Sequence, residues 1–214
     1  MANFKTHLLG GVASYAISTY LFWNQGNQTT FLYIGAMSIT GSLFPDIDSD
    51  TSKTIRYFFR GLVILALLLI ANTLYLNSID IKKSAFILIS IPFIILYLIK
   101  PFFTKMTSHR GIYHSIPMGL TIALLTTYIP FTTYKFIVST SFMIGFLTHL
   151  LLDEIYSSVT ISGLRIKPKK SFGTALKWLA PSLSSNIILN LILIILIFDN
   201  YDFLYENITQ LFNF

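Results

Sequence analysis

The feature that most limits what this 214-residue chain can become is its succession of long apolar segments. They run at 8–23, 29–44, 57–77, 84–103, 116–130, 134–152 and 184–198, each near the roughly 20 residues that a hydrocarbon core requires. Only 11% of the residues are charged and 54% are hydrophobic, where a soluble domain carries about a quarter charged residues. A soluble fold would have to bury helices apolar on every side at once, and a chain this size has too little polar covering for that. The expected fold is all-α: a polytopic membrane protein with about seven transmembrane helices, or six if the short second or fifth segment is tilted or re-entrant. No internal repeat or low-complexity tract interrupts the pattern, so residues 1–214 are expected to form one integral membrane domain. The opening MANFKTHLLGGVASYAISTYLFW resembles a secretory signal in having one Lys before an apolar run. Ser and Tyr interrupt that run and it is long enough to span, so a retained first helix is expected.

Orientation follows from the cations at the segment ends. Lys5, Lys53, Arg56, Arg60, Lys100, Lys105, Arg110, Arg165, Lys167, Lys169, Lys170 and Lys177 fall on the side of the N-terminus, and Lys82, Lys83 and Lys135 on the other. That asymmetry places the N-terminus in the cytoplasm, in a multi-pass arrangement, with the acidic tail of Asp199, Asp202 and Glu206 outside. The net charge of +6 is spread over several loops and forms no stripe, which argues against nucleic acid as a partner. A basic cytoplasmic segment is expected at about 154–181. In it, Arg165, Lys167, Lys169 and Lys170 either attract anionic lipid headgroups or serve as ordinary positive-inside anchors. Small residues at Gly10, Gly11, Ala13 and Ser14 and at Gly35, Ala36, Ser38 and Gly41 predict close packing of the first two helices, or reflect the general abundance of Gly and Ser in membrane helices.

The polar residues are concentrated. Thr6-His7 opens the first segment, PDIDSD (45–50) closes the second, SHRGIYHS (108–115) precedes the fifth and HLLLDE (149–154) closes the sixth. Walked through the topology, all four fall on the cytoplasmic face, although neither the histidines nor the carboxylates entered the charge count. Cysteine is absent, so metal ligands must be His, Asp or Glu. His149 and Asp153 are four apart and share one helix face, which suits either one ion or a helix-end hydrogen bond. Asp46 and Asp48 follow Pro45, where alternate carboxylates can point the same way, or where the run is simply a turn. An EF-hand is excluded, because counting from Asp46 the sixth position is Thr51 and the twelfth is Tyr57. His109 and His114 flank Gly111, which permits the sharp turn that would let both rings converge. Ser115 before Pro117 reads as a helix cap, or as a nucleophile with His114 as base. His7 alone reads as a polar anchor, and with the others as a ligand. Ionisable groups at a membrane edge are functional hypotheses by default. The candidate ligands are therefore His7, Asp46, Asp48, His109, His114, His149 and Asp153. A sulfur-free His and carboxylate set suits a divalent ion, Zn first, Mn or Fe otherwise, with one or two ions bound.

TH, PDID, HRGIYHS and HLLLDE, in this order, resemble the YdjM-like family of membrane proteins regarded as metal-dependent hydrolases, over most of the chain from His7 to about Trp178. That resemblance implies a helical inner-membrane protein with a His and Asp metal centre carried by the same seven residues. The His149-xxx-Asp153 element is also similar to the HxxxD of zinc-dependent phospholipase C and P1 nuclease, whose sites hydrolyse phosphoesters.

The expected function is a membrane-bound metal-dependent hydrolase acting on a phosphoester in a lipid or lipid-linked substrate at the cytoplasmic face. Asp48, Asp153 and His114 are candidates for ligand or acid–base roles, and Arg110 for stabilising phosphoryl charge. An ion or metal transporter using the same residues is the first alternative, although they lie at one face and not near the midplane. A non-catalytic regulator held together by metal is the second.

Overall fold

The computed structural model describes residues 3–25, 27–48, 53–76, 80–107, 112–128, 134–162, 165–168, 177–179 and 183–212. Its helices are α1 (Phe4–Leu21), α2 (Gln28–Leu43), α3 (Lys53–Leu76), α4 (Ile81–Phe93), α5 (Lys100–Thr107), α6 (Ile116–Leu125), α7 (Lys135–Ser158), α8 (Leu183–Asp199) and α9 (Tyr201–Phe212). A π-helical turn, Ile94–Ile99, joins α4 to α5. Each of the seven apolar segments contains a helix, so the all-α class stands. One short antiparallel hairpin is added, β1 (Val159–Ser162) with β2 (Arg165–Pro168), in which Val159 pairs with Pro168 and Ser162 with Arg165.

The span count is lower on length and apolarity alone. Among the described residues, Ile81–Phe102 and Lys135–Tyr156, 22 residues each, are long and apolar enough to cross a membrane. α8 and α9 make a third if their pair, bent by 67°, is one broken span. α2 has 16 residues, about 24 Å of helix against a hydrocarbon core of about 30 Å. α1 gives a whole stripe to His7, Gly10, Gly11, Ser14 and Ser18, which dilutes its apolarity.

The chain divides into two compact units: Met1–Pro45 with Gly111–Phe214, and Asp46–Arg110. In the second, α3 packs against α4 and the π-helical turn. α4 opens with Asp80 as cap, its carboxylate accepting from the N–H of Lys82 at 3.0 Å.

In the first unit α2, α7 and α1 form the central three-helix contact, and α6 joins α7 to α8. Polarity is reversed relative to a water-soluble bundle. The buried stripe of α1 is His7, Gly10, Gly11, Ser14 and Ser18, while Leu9, Val12, Ile17 and Leu21 are exposed. α2 buries Thr30, Ser38, Gly41 and Ser42 beside Ile34. α8 turns Ile187, Ile188, Ile195 and Phe198 outward. Large apolar side chains outside and small or hydroxylated ones inside is the pattern expected where lipid is the solvent and close backbone approach drives association. Ser14 Oγ lies 2.8 Å from both the Gly10 carbonyl and Thr148 Oγ1, sharing its one proton between them and linking α1 to α7.

The expected pairing of the first two helices is present, but the closer approach is between α2 and α7. A Cβ built on Gly41 would lie 2.1 Å from the Phe142 carbonyl oxygen, and one on Gly145 would lie 2.1 Å from that of Ser38. Both obstacles are main chain, so they cannot rotate away. An apolar core of Ala123, Phe142, Phe146 and Leu150 fills the space between α6 and α7.

At the far end of this unit, Asn200 sits at the α8–α9 bend. It accepts from Thr127 Oγ1 at 2.8 Å and donates to the Leu196 carbonyl at 2.9 Å and to Tyr128 Oη at 3.0 Å. Tyr128 in turn donates to the Asp199 carboxylate.

Gly41→Ala should therefore destabilise the protein in detergent by at least about 1–3 kcal/mol through overpacking. A Cβ added at Gly61, in α3, would meet nothing within 4 Å, so Gly61→Ala should be neutral or stabilising by up to about 1 kcal/mol. Thermal unfolding of both variants checks the contrast, and equal midpoints would refute the close α2–α7 approach.

Candidate metal centre

Three helix starts or ends bring the site together. His7 occupies the first turn of α1, which Asn3 caps by accepting from the N–H of Thr6 at 3.0 Å. His149 and Asp153 lie on one face of α7, one turn apart. His114 is held in the turn before α6. There the N–H and the hydroxyl of Ser115 both donate to the Ile112 carbonyl, at 3.1 and 2.6 Å, and Ser115 Oγ accepts from the N–H of Met118 at 3.4 Å. Ser115 is thus the helix cap, its hydroxyl proton engaged by Ile112.

The imidazoles converge on one carboxylate. Nε2 of His7 is 3.4 Å from Asp153 Oδ1, and Nε2 of His149 and of His114 are 3.7 and 3.8 Å from Oδ2. The rings of His7 and His149 stack at 3.7 Å and 11°, and His114 meets His149 edge-on at 5.3 Å. His7 and His149 are fully buried and Asp153 is 2% exposed. His114 is the member nearest the outside, its side chain 14% exposed.

The neighbouring backbone sets a tautomer. His149 Nδ1 lies 2.7 Å from the Ser42 carbonyl oxygen. A carbonyl only accepts, so Nδ1 carries a proton, and in the neutral ring Nε2 presents a lone pair toward the Asp153 carboxylate. Two acceptors facing each other in an apolar interior are satisfied by a cation placed between them. One ligand atom each from His7, His149 and Asp153 fall within 4.8 Å of one another. Tetrahedral zinc ligands sit about 3.3 Å apart, and Nε2 of His7 and of His149 already lie 3.4 and 3.7 Å from the Asp153 carboxylate oxygens. The donors therefore fit a divalent ion, and the Ser42 carbonyl supplies the outer support that metal-bound histidines ordinarily have. Ser42 Oγ also donates to the His7 carbonyl at 2.6 Å, tying α2 to α1 beneath the site.

Four of the seven expected ligands, His7, His114, His149 and Asp153, are brought together. Asp46 lies in the 3-10 turn Phe44–Asp48 and belongs to the second unit, as does Asp48; the Asp48 side chain is outside the description. His109 and Arg110 lie outside the described residues, as do Lys169 and Lys170, and of Arg165 and Lys167 only the hairpin backbone is described. Ser42 was not legible as a site residue, because its contribution to His149 is a main-chain carbonyl and any residue type would carry one. Lys177 was legible only as one more loop cation. Its carbonyl accepts from the N–H of Ile116 at 2.9 Å, and Ser115 and Lys177 form a single parallel bridge.

Burial pushes His114 down to about 4, against the opposing pull of Asp153 and with the help of His7 and Lys177. The imidazole is therefore neutral, the ligand-competent form, throughout the neutral range. Between the ordinary 6.5 and about 4 the unfolded chain takes up a proton at His114 that the folded chain does not. Stability is thus full above 6.5 and declines as pH falls toward about 4. Chelator-treated protein should show a thermal midpoint that falls over this interval, with a shallower fall in His114→Asn. Parallel curves for the two proteins would contradict the assignment.

A family model described as YdjM inner membrane protein matches residues 1–204. No curated protein and no solved structure matches the chain, so the likeness to zinc phospholipase C and P1 nuclease rests on the His149–Asp153 spacing alone.

Proposed function

The chain belongs to the YdjM inner membrane protein family, and from that premise we propose that it is a membrane-bound metal-dependent hydrolase whose substrate is a phosphoester in a lipid or lipid-linked molecule. The observation that carries this reading is the convergence of three imidazole Nε2 atoms on the buried Asp153 carboxylate. Polar groups at such a depth are costly and are kept where they do chemistry. Counting along Lys135–Tyr156, Asp153 lies three residues and His149 seven from the helix end, or about 5 and 10 Å in. On this reading the centre lies about 5–10 Å inside one end of the span, close to one membrane face. The cation asymmetry supports a multi-pass arrangement with the N-terminus and this end facing the cytoplasm. That depth favours hydrolysis at the surface over passage through the midplane.

In this reading His7, His149 and Asp153 hold the ion, most fittingly Zn by its preference for imidazole and carboxylate, with Mn or Fe as the other candidates. When bound, a divalent ion supplies a Lewis acid that polarises a phosphoryl oxygen and acidifies water at neutral pH. Asp153 orients the three rings, and the Ser42 carbonyl holds His149 with Nε2 facing inward. His114, the outermost ring and neutral, meets the substrate side and serves as ligand or proton acceptor. Asp46 and Asp48 are the carboxylates that the sequence offers for a second ion, and Arg110 the cation it offers to phosphoryl oxygens.

Purified protein should carry about one or two equivalents of transition metal per chain. His149→Ala and Asp153→Ala should lose most of it and depress hydrolysis of a phosphoester lipid panel by at least about a hundredfold. Elemental analysis beside the activity panel decides the matter: a metal-free wild type, or hydrolysis that survives both substitutions, sinks the reading.

A further inference from the structure

Beyond Asp153 the chain runs through the end of α7 and the hairpin, and returns at Lys177 to the mouth of the metal centre. The return is held by main chain. The Ile116 N–H donates to the Lys177 carbonyl at 2.9 Å, and the bridge to Ser115 sets the Lys177 backbone about 4.8 Å from the residue that follows His114. Lys177 is half-buried, and its charge acts on His114, where it disfavours the protonated ring. The next two residues, Trp178 and Leu179, are exposed. An aromatic beside a Lys is the ordinary marker of the membrane–water interface.

A cation whose main chain is anchored beside a centre that collects a divalent cation is electrostatically unfavourable, most of all where water is scarce. Backbone pairing holds it there nonetheless. The arrangement becomes favourable when an anion lies between the two positive charges, and a Lys acting as a point charge is a recurrent partner of phosphate oxygens.

We propose that Lys177 is the anion-binding residue of this centre, holding a phosphoryl oxyanion at the mouth lined by His114 while the metal lies deeper among His7, His149 and Asp153. The proposal rests on the metal-dependent reading above and deepens it, assigning recognition of the substrate's charge to a residue within the described site. It makes Lys177 a determinant of ligand binding and not of metal binding, and those two roles separate experimentally.

The test uses the full-length protein in detergent, loaded with zinc. Zinc affinity is measured by chelator competition. Binding of inorganic phosphate, of short-chain phosphatidic acid and of short-chain phosphatidylcholine is measured by calorimetry, for wild type, Lys177→Ala, Lys177→Gln and Lys177→Arg. Both neutral variants should bind zinc as tightly as wild type or several-fold tighter, since a repelling charge is gone, while the anion that binds wild type weakens at least about tenfold. Lys177→Arg should restore anion binding to within about threefold. Binding of phosphatidic acid without inorganic phosphate identifies a lipid headgroup as the source, and the reverse identifies free phosphate; either supports the proposal. Wild type that binds neither anion, neutral variants that bind the anion normally, or neutral variants that lose zinc with the anion would overturn it. Should wild type take up no metal at all, the hydrolase reading falls separately. Lys177-dependent phosphate binding by the metal-free protein would then still support the anion site, and its absence would overturn that as well.

Discussion

The close approach of α2 and α7 is the contact on which the first unit depends. Gly41 and Gly145 leave no room for a side chain, because the opposing atoms are carbonyl oxygens of the other helix. Ser42 follows Gly41, and His149 lies one turn beyond Gly145, so the glycines that permit the approach are adjacent to the residues that use it. At that separation the Ser42 carbonyl reaches His149 Nδ1 at 2.7 Å, which fixes the tautomer and turns Nε2 inward. A wider gap would leave the ring unsupported. The same Ser42 hydroxyl reaches back to the His7 carbonyl, so one residue of α2 serves both buried histidines.

Lipid as solvent explains why such a centre can sit inside so thin a bundle. Where the surroundings are as apolar as any core, little is gained by burying large aliphatic side chains, and the helices bury hydroxyls, glycines and imidazoles beside the Phe142, Phe146 and Leu150 core. Ser14 with Thr148, and Asn200 with Thr127 and Tyr128, satisfy their polar atoms across helices. The Asp153 carboxylate is the costliest case, a buried ionisable group surrounded by imidazole nitrogens. The two polar networks mark the two ends of the unit: imidazoles and a carboxylate near the start of α6, amides and phenols at its far end.

Much of the fold was legible because hydropathy is a property of the segment itself. Every apolar stretch became a helix, and the Ser115 cap was readable from Ser followed by Pro117. Less legible was which stretches cross the bilayer. α2 and α6 are short, and α1 yields its inward face to small and polar residues, so among the described residues the number of long apolar helices is below the number of apolar segments. The α8–α9 bend was also hidden, since the residue that organises it, Asn200, does so through partners more than 70 positions away. The hairpin Val159–Ser162 with Arg165–Pro168 was subsumed in a basic segment, where charge masked a short β-branched run.

For the site, the residue types and their common end of the helices were present in the linear pattern: TH, HRGIYHS and HLLLDE contain every imidazole in the chain. Spacing also placed His149 and Asp153 on one face, because helical periodicity is local. Sequence by itself thus determined a helical membrane protein and offered the imidazoles and acids from which a site could be drawn. Only the tertiary structure decided that His7, His114 and His149 share the single carboxylate of Asp153, that Ser42 supports one of them through its backbone, and that Lys177 returns to the mouth. Those pairings link residues up to about 150 positions apart, and they depend on how closely two helix backbones approach, a distance that packing sets and local pattern does not encode.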